Sequence, residues 1–230
     1  MILKEFDLDL PYIEGSPEDY KLNWKHKRIK FNNECRCVAA MAERYFKEYR
    51  YKTPFSWKLM VSCYSELDNV KNKFVKSEVY EANMRFDIDR YFTSTANDKK
   101  LMIFEVLKEG VLEIVKEEGW ISEPFKEVFS KMEDEQLKNI YQLGKFSYNS
   151  KRHLNAAIVC EHEINEFKMF IIIRDSSGRE IAKKLVINEV PNEWSFHKHL
   201  GKLQWLSDHE VALINKKGIV VNTLQVDYDW

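Results

Sequence analysis

The chain has 230 residues, 44% of them hydrophobic and 13% aromatic, which is ample for a packed core and excludes global disorder. Its 36 basic and 37 acidic side chains leave a formal net charge of −1, so no global field favours nucleic acid or an anionic membrane. No run approaches the roughly 18 apolar residues of a membrane span.

Charge is spread evenly: residues 1–60 carry 12 basic and 9 acidic groups, residues 61–145 carry 13 and 17, and residues 146–230 carry 11 and 11. The opening MILKEFDLDLPYIEG has acids inside its apolar run and lacks the basic-then-apolar order of a signal peptide. Four cysteines, at 35, 37, 63 and 160, do not resemble the framework of a small secreted domain. Together these features predict a soluble protein in a reducing, cytoplasmic setting. Only seven glycines are present, about 3% against a usual ~7%, which leaves little material for phosphate-cradling loops or oxyanion holes.

Ile2 to Leu10 alternates apolar and acidic residues and reads as a half-buried first strand ended by Pro11. Residues 12–23 read as a loop, and the basic stretch Trp24 to Phe31 as a strand. Asn32 or Asn33 is then placed to cap a helix running to about Tyr51, with Val38, Met41, Ala42, Tyr45 and Tyr49 on one side. Trp57 to Tyr64 and Val79 to Ile88 alternate as further strands, with a polar turn region between them.

Lys99 to Gly119 is the clearest helix. Ile103, Phe104, Leu107, Val111, Ile114 and Val115 recur at helical spacing, Asn97 or Asp98 is placed to cap the start, and Gly119 to close the end. Gly110 in its middle costs about 1 kcal/mol relative to Ala, and either permits close approach of another element or is simply tolerated. Ser122 and Pro124 open a second helix over 123–132, and Glu133 to Leu143 reads as a third, closed by Gly144.

From there the pattern is strands: Leu154 to Glu163, Phe167 to Arg174, Glu180 to Val190, Leu203 to Leu206, Glu210 to Ile214 and Ile219 to Asp227. Short turns join them, so they must pair antiparallel. The expected class is α+β: a mixed strand and helix segment, central helices, then a largely antiparallel β half. The expected division is 1–145 and 146–230, as two regions or one continuous domain.

Three clusters could carry chemistry. Asp87 and Asp89, beside Arg85 on one face of the expected third strand, could hold Mg²⁺ or Mn²⁺ for phosphoryl transfer or nuclease chemistry. The competing reading is a solvated strand face with a local ion pair. His197 and His199, with His209 a turn later, could make a zinc site, or be exposed loop histidines. Cys160 shares a strand face with His162, and Cys35 and Cys37 sit at an expected helix start, where the helix N-terminus would lower a thiol pKa. The strand pattern makes Cys160 a small buried hydrophobe. The P-loop, dinucleotide-binding, HExxH, GxSxG and CxxC signatures are absent. Basic and aromatic residues around Trp24 to Phe31 and Tyr45 to Lys52 offer at most a local nucleic-acid contact.

The expectation is therefore a non-catalytic, cytoplasmic, protein-binding accessory protein without a cofactor, of a kind suited to a bacterium or phage, toxin neutralisation being one version. Its motivation is the absence of a convergent catalytic set together with 14 Phe, 11 Tyr and 6 Trp, aromatics being enriched at interface hot spots. The alternative is a divalent-metal-dependent phosphoryl-transfer enzyme or nuclease built on Asp87 and Asp89, with Arg85 stabilising charge.

Overall fold

The computed structural model describes residues 1–12, 15–54, 56–67 and 79–226. Most of the polar turn expected between Tyr64 and Val79, and Asp227 at the end of the last strand, lie outside the described residues. The fold is α+β, and the chain divides into two compact units, Met1–Lys138 and Asn139–Trp230. Among the described residues no helix is long and apolar enough to cross a membrane.

The N-terminal unit is built on a three-stranded parallel sheet, β1 (Glu5–Asp9), β2 (Lys58–Tyr64) and β3 (Tyr80–Arg85), in the order β1-β2-β3. Alternation in each strand sends Phe6 and Leu8, Leu59 and Val61, and Tyr80 and Ala82 into the core. Helix α2 (Lys25–Phe46) packs on β1, and α4 (Ala96–Glu117) packs on β2 and β3. A short helix α3 (Ile88–Thr93) precedes α4, and α5 (Glu123–Asp134) follows it.

Five local readings need correction, the expected loop over 12–23 among them because residues 17–23 are helical. Trp24 to Phe31 is helical, not a strand, because its Lys and Arg residues are good helix formers and nothing on it alternates. The coil starts earlier still, at α1 (Pro17–Asp19), capped by the Ser16 hydroxyl, and passes through a π-turn at Tyr20–Trp24 into α2. Asn32 and Asn33 therefore lie inside the helix. The central helix is capped by Thr95, whose Oγ1 accepts from the Asp98 amide at 3.3 Å, and not by Asn97 or Asp98. Finally, Glu133 to Leu143 is not a helix: α5 ends at Asp134, Gln136 and Leu137 both take φ +55°, and a strand starts at Ile140. Two successive left-handed residues cannot continue a right-handed helix.

Strand β1 is an edge of its sheet, yet side chains occupy backbone groups on and just beyond its outer side. The Phe6 amide donates to Glu43 Oε1 at 3.1 Å, and Arg36 Nη1 donates to the Phe6 carbonyl at 3.1 Å. The Trp24 indole donates to the Leu10 carbonyl at 3.0 Å. An Arg36–Glu43 ion pair on α2 thus stands where a further strand would pair.

The C-terminal unit is antiparallel throughout. One sheet has the order β4-β5-β6-β7, formed by Ile140–Asn149, Leu154–His162, Phe167–Arg174 and Glu180–Glu189. The other has the order β10-β9-β8, formed by Val220–Gln225, Glu210–Asn215 and Gly201–Trp205. Leu154, Ile158, Met169, Ile171, Val211 and Leu213 belong to one core between the two sheets. Trp205 Nε1 reaches the Ser147 carbonyl at 3.0 Å and Lys184 Nζ the Thr223 carbonyl at 2.7 Å, which ties β8 to β4 and β7 to β10.

Gly110 is the tightest point of the N-terminal packing. A Cβ there would stand 2.7 and 2.9 Å from the Val61 methyl carbons and 3.2 Å from Met84 Cγ. Val61 is β-branched and fully buried, so it has little room to move. Gly110→Ala should therefore lose about 1–3 kcal/mol to overpacking, against about 1 kcal/mol gained in helix propensity. The expected result is a lowered urea midpoint; a stabilised variant would show that α4 does not pack this closely.

Candidate functional site

Asp87 and Asp89 lie at the start of a helix and not on a strand. The third strand ends at Arg85, two residues before Asp87, so the shared strand face is missing. Asp87 instead caps α3, its Oδ1 accepting from the Arg90 amide at 3.0 Å, while Asp89 sits in the first turn of that helix. Both carboxylates and Arg85 are exposed. An aspartate one residue before a helix is a good N-cap for the same reason it is a poor strand residue.

The histidines also separate. His197 and His199 lie in a 3₁₀ turn (His197–His199) after α6 (Glu193–Phe196). His199 Nε2 is 3.0 Å from Glu189 Oε1, His197 Nε2 is 3.2 Å from Lys216 Nζ, and His209 Nε2 is 2.7 Å from an Arg152 nitrogen. Each imidazole thus has its own partner on a different element. His199 and Lys198 together hold the Glu189 carboxyl below its usual range. Among the described residues no group of three or more His, Cys, Asp or Glu side chains could hold a metal ion.

All four cysteines are buried and free. Burial raises the Cys35 and Cys63 thiols and pushes Cys160 up to about 12, with Tyr141 pulling the last slightly back. Such thiols are inert hydrophobes, not nucleophiles. His162 is a core histidine: Nε2 lies 3.1 Å from the Pro191 carbonyl, and the ring packs edge-on against Phe167 and Phe196.

The most concentrated buried chemistry in the N-terminal unit is a cluster that periodicity alone did not single out. Glu34 on α2 is 3% exposed and Lys99 on α4 is 6% exposed, while Tyr91 on α3 is fully buried. Lys99 Nζ donates to both Glu34 oxygens at 3.1 and 3.2 Å, and Tyr91 Oη donates to Oε2 at 2.7 Å. Lys99 also lies 5.0 Å from the centre of the Tyr91 ring, and Phe31 and Phe86 pack edge-on or tilted around that ring. Burial, with Cys35 and Glu34 nearby, raises the Tyr91 hydroxyl well above its usual value. A signal was present: Glu34 lies one turn before Val38, and Lys99 one turn before Ile103, each a charge inside an apolar stripe. The carboxylate already accepts three hydrogen bonds, so the cluster acts as a clamp joining three helices and not as a reactive site.

On the C-terminal unit one residue is unusual in the opposite sense. Trp194 on α6 is 91% exposed. Its helix is nonetheless firmly seated: Asn192 Oδ1 accepts from the Trp194 amide at 3.0 Å, and the neighbouring Phe196 is buried and stacked on Phe167 with ring centres 3.6 Å apart. Pro191 is buried as well. The turn is anchored from within and displays the indole outward, with Val190 exposed beside it.

No protein-family model, no curated protein and no solved structure matches this chain.

Two measurements test these assignments. Lys99→Met should cost about 3–5 kcal/mol by leaving the Glu34 carboxylate short of a buried partner. The all-apolar Glu34→Leu/Tyr91→Phe/Lys99→Met variant should be closer to wild type in urea unfolding, and a larger loss in the triple variant would contradict the clamp. Alkali provides the other. Below pH 9.0 the Cys160 thiol is protonated whether folded or not; above it the unfolded thiol loses its proton while the folded one, at about 12, keeps it. Stability should fall as pH rises through that window, and Cys160→Ala should flatten the slope of urea midpoint against pH. Parallel slopes would contradict it.

Proposed function

We propose that the chain is a non-catalytic, cytoplasmic, protein-binding accessory protein whose contact surface centres on Trp194. The observation that carries this reading is a tryptophan left 91% exposed on a turn pinned by Phe196 and Asn192. A large aromatic held in solvent by a rigid support gains the most from burial in a partner's pocket and loses little side-chain freedom in doing so. The remaining chemistry agrees with a binding role. The carboxylate of the clamp is fully occupied, the thiols are inert, and the histidines are separately paired. The free, buried cysteines suit a reducing compartment. Neutralisation of a toxin, or another accessory role in a bacterium or phage, is the kind of task this reading accommodates.

Trp194→Ala provides the test. Its urea midpoint should stay within about 0.5 kcal/mol of wild type, because an exposed side chain contributes little to folding. Affinity capture from native lysate should recover a stoichiometric partner with wild type and lose it, by about 2 kcal/mol or more of binding energy, with Trp194→Ala. Recovery of no partner, or equal recovery by both chains, would contradict the reading.

A further inference from the structure

Residues Tyr20 to Asn33 carry five Lys and Arg side chains and no acid, which leaves 31 basic and 37 acidic side chains in the rest of the chain. In the structure this stretch is the π-turn and the first turns of α2. Two neighbouring rows at four-residue spacing are exposed on it, Lys21–Lys25–Ile29 and Leu22–His26–Lys30. Leu22 is 71% exposed and Ile29 50%, so two aliphatic side chains stand in solvent among cations. Arg28 is engaged by Asp9 and Lys30 leans to Glu34 at 3.7 Å, but Lys21 and Lys25 form no ion pair among the described residues. The nearest acids in sequence are Glu18 and Asp19, and Asp19 is held by Tyr12 and Asn23. π-turns are rare, and their position here, at the head of a basic aliphatic face, is a second mark of a working surface.

A surface of opposite charge lies on α4 of the same unit. Leu101, Glu105, Glu109, Glu113 and Glu117 form one four-residue row, and all five are exposed. Leu101, at 52% exposure, supplies an aliphatic side chain at its head. Two lysines adjoin the row: Lys108 is engaged by Glu133 at 2.6 Å, and Lys116 is exposed beside Glu113. The row is still strongly acidic.

We infer that the basic face formed by the π-turn and the start of α2 docks on the acidic row of α4 in a second copy of this chain. Each surface has the features the other requires, exposed aliphatic side chains at the ends of its rows and charge of a single sign at the same four-residue spacing. A nucleic-acid backbone would match the lysines but leave Leu22 and Ile29 without a complement. The rows also expose no Phe, Tyr or Trp for a base to stack on, since Trp24 is half-buried with its indole bound to the Leu10 carbonyl and Phe31 is in the core. This self-contact uses residues of the N-terminal unit, whereas Trp194 belongs to the C-terminal unit.

Sedimentation velocity of the full chain tests it. Self-association is expected at about 0.1 M salt and should be lost at about 1 M, where the screening length falls from about 10 to about 3 Å. Lys21→Glu/Lys25→Glu should be monomeric, and so should Glu109→Lys/Glu113→Lys; both alter exposed residues, and unchanged far-ultraviolet circular dichroism confirms their folds. Mixing the two variants should restore association, because the reversed charges match again. Leu22→Ser/Ile29→Ser should weaken it about tenfold or more. Trp194→Ala should associate as wild type does, so failure here and failure of the partner-binding reading are read separately. A monomeric wild type at about 0.1 M salt, variants that still associate alone, or a mixture that stays apart would overturn the inference. So would a wild type that stays monomeric but binds oligo-dT or phosphatidylserine vesicles.

Discussion

A carboxylate that cannot reach water determines how the helices of the N-terminal unit meet. Burying Glu34 is costly unless it is paired and hydrogen-bonded, and its partners come from two other helices, Tyr91 from α3 and Lys99 from α4. Those partners arrive in register because each helix starts at a defined residue: Asp87 caps α3 and Thr95 caps α4. With Lys99 fixed, the row that follows it at four-residue spacing, Ile103, Leu107 and Val111, is delivered to the core, where all three are buried. Gly110 then meets Val61 at a distance that admits no side chain. Two local caps, one buried ion pair and one close approach form a single chain of dependence.

The same economy of charge governs the sheet. The acids that alternate with Phe6 and Leu8 do not stand free: Asp9 takes a two-pronged contact from Arg28, at 2.7 and 2.5 Å, and Asp7 pairs with Lys58 at 2.7 Å. The edge of β1 is closed by Arg36 and Glu43 side chains, which bond to both backbone groups of Phe6. An unprotected edge would be a template for pairing with another chain. In the C-terminal unit the two sheets are tied along neighbouring edges by Trp205 and Lys184. Polar side chains in both units therefore pair with one another and complete backbone groups at the sheet edges.

Class was legible in the sequence because it depends on period. The 3.6-residue stripe of Ile103 to Val115 and the alternation of Leu154 to His162 each persist long enough to outweigh local noise, and their elements appear in the structure. The antiparallel pairing of the second half followed from its short turns. Parallel order in the first half was not legible, because long crossovers separate its strands and no local pattern encodes which edges meet. Ile140 to Leu143, expected as the end of a helix, begins a strand whose alternation is interrupted by Gly144 at φ +71° and by a register shift between Leu143 and Ser147. Candidate sites fared worse than elements. Placing Asp87 and Asp89 together required a strand to continue two residues beyond its end, and uniting three histidines required loops to converge. The Glu34–Lys99 pair is 65 residues apart, and only a charge inside each apolar stripe hinted at it.

Glycine use bears on function more directly than any single motif. Five of the seven glycines lie at positive φ, the backbone region most costly for other residues. The remaining two, Gly110 and Gly201, sit where a Cβ would strike Val61 or the Ile214 carbonyl. Every glycine is thus accounted for by chain reversal or by packing of the protein against itself. Catalytic loops commonly use glycine so that backbone can approach a ligand, and the scarcity of glycine is one ground for the non-catalytic reading proposed above. The chain's outward chemistry is of another kind, a supported indole and two rows of opposite charge. On the reading proposed above, such features would meet surfaces of comparable size and rigidity on other folded proteins, a second copy of this chain among them.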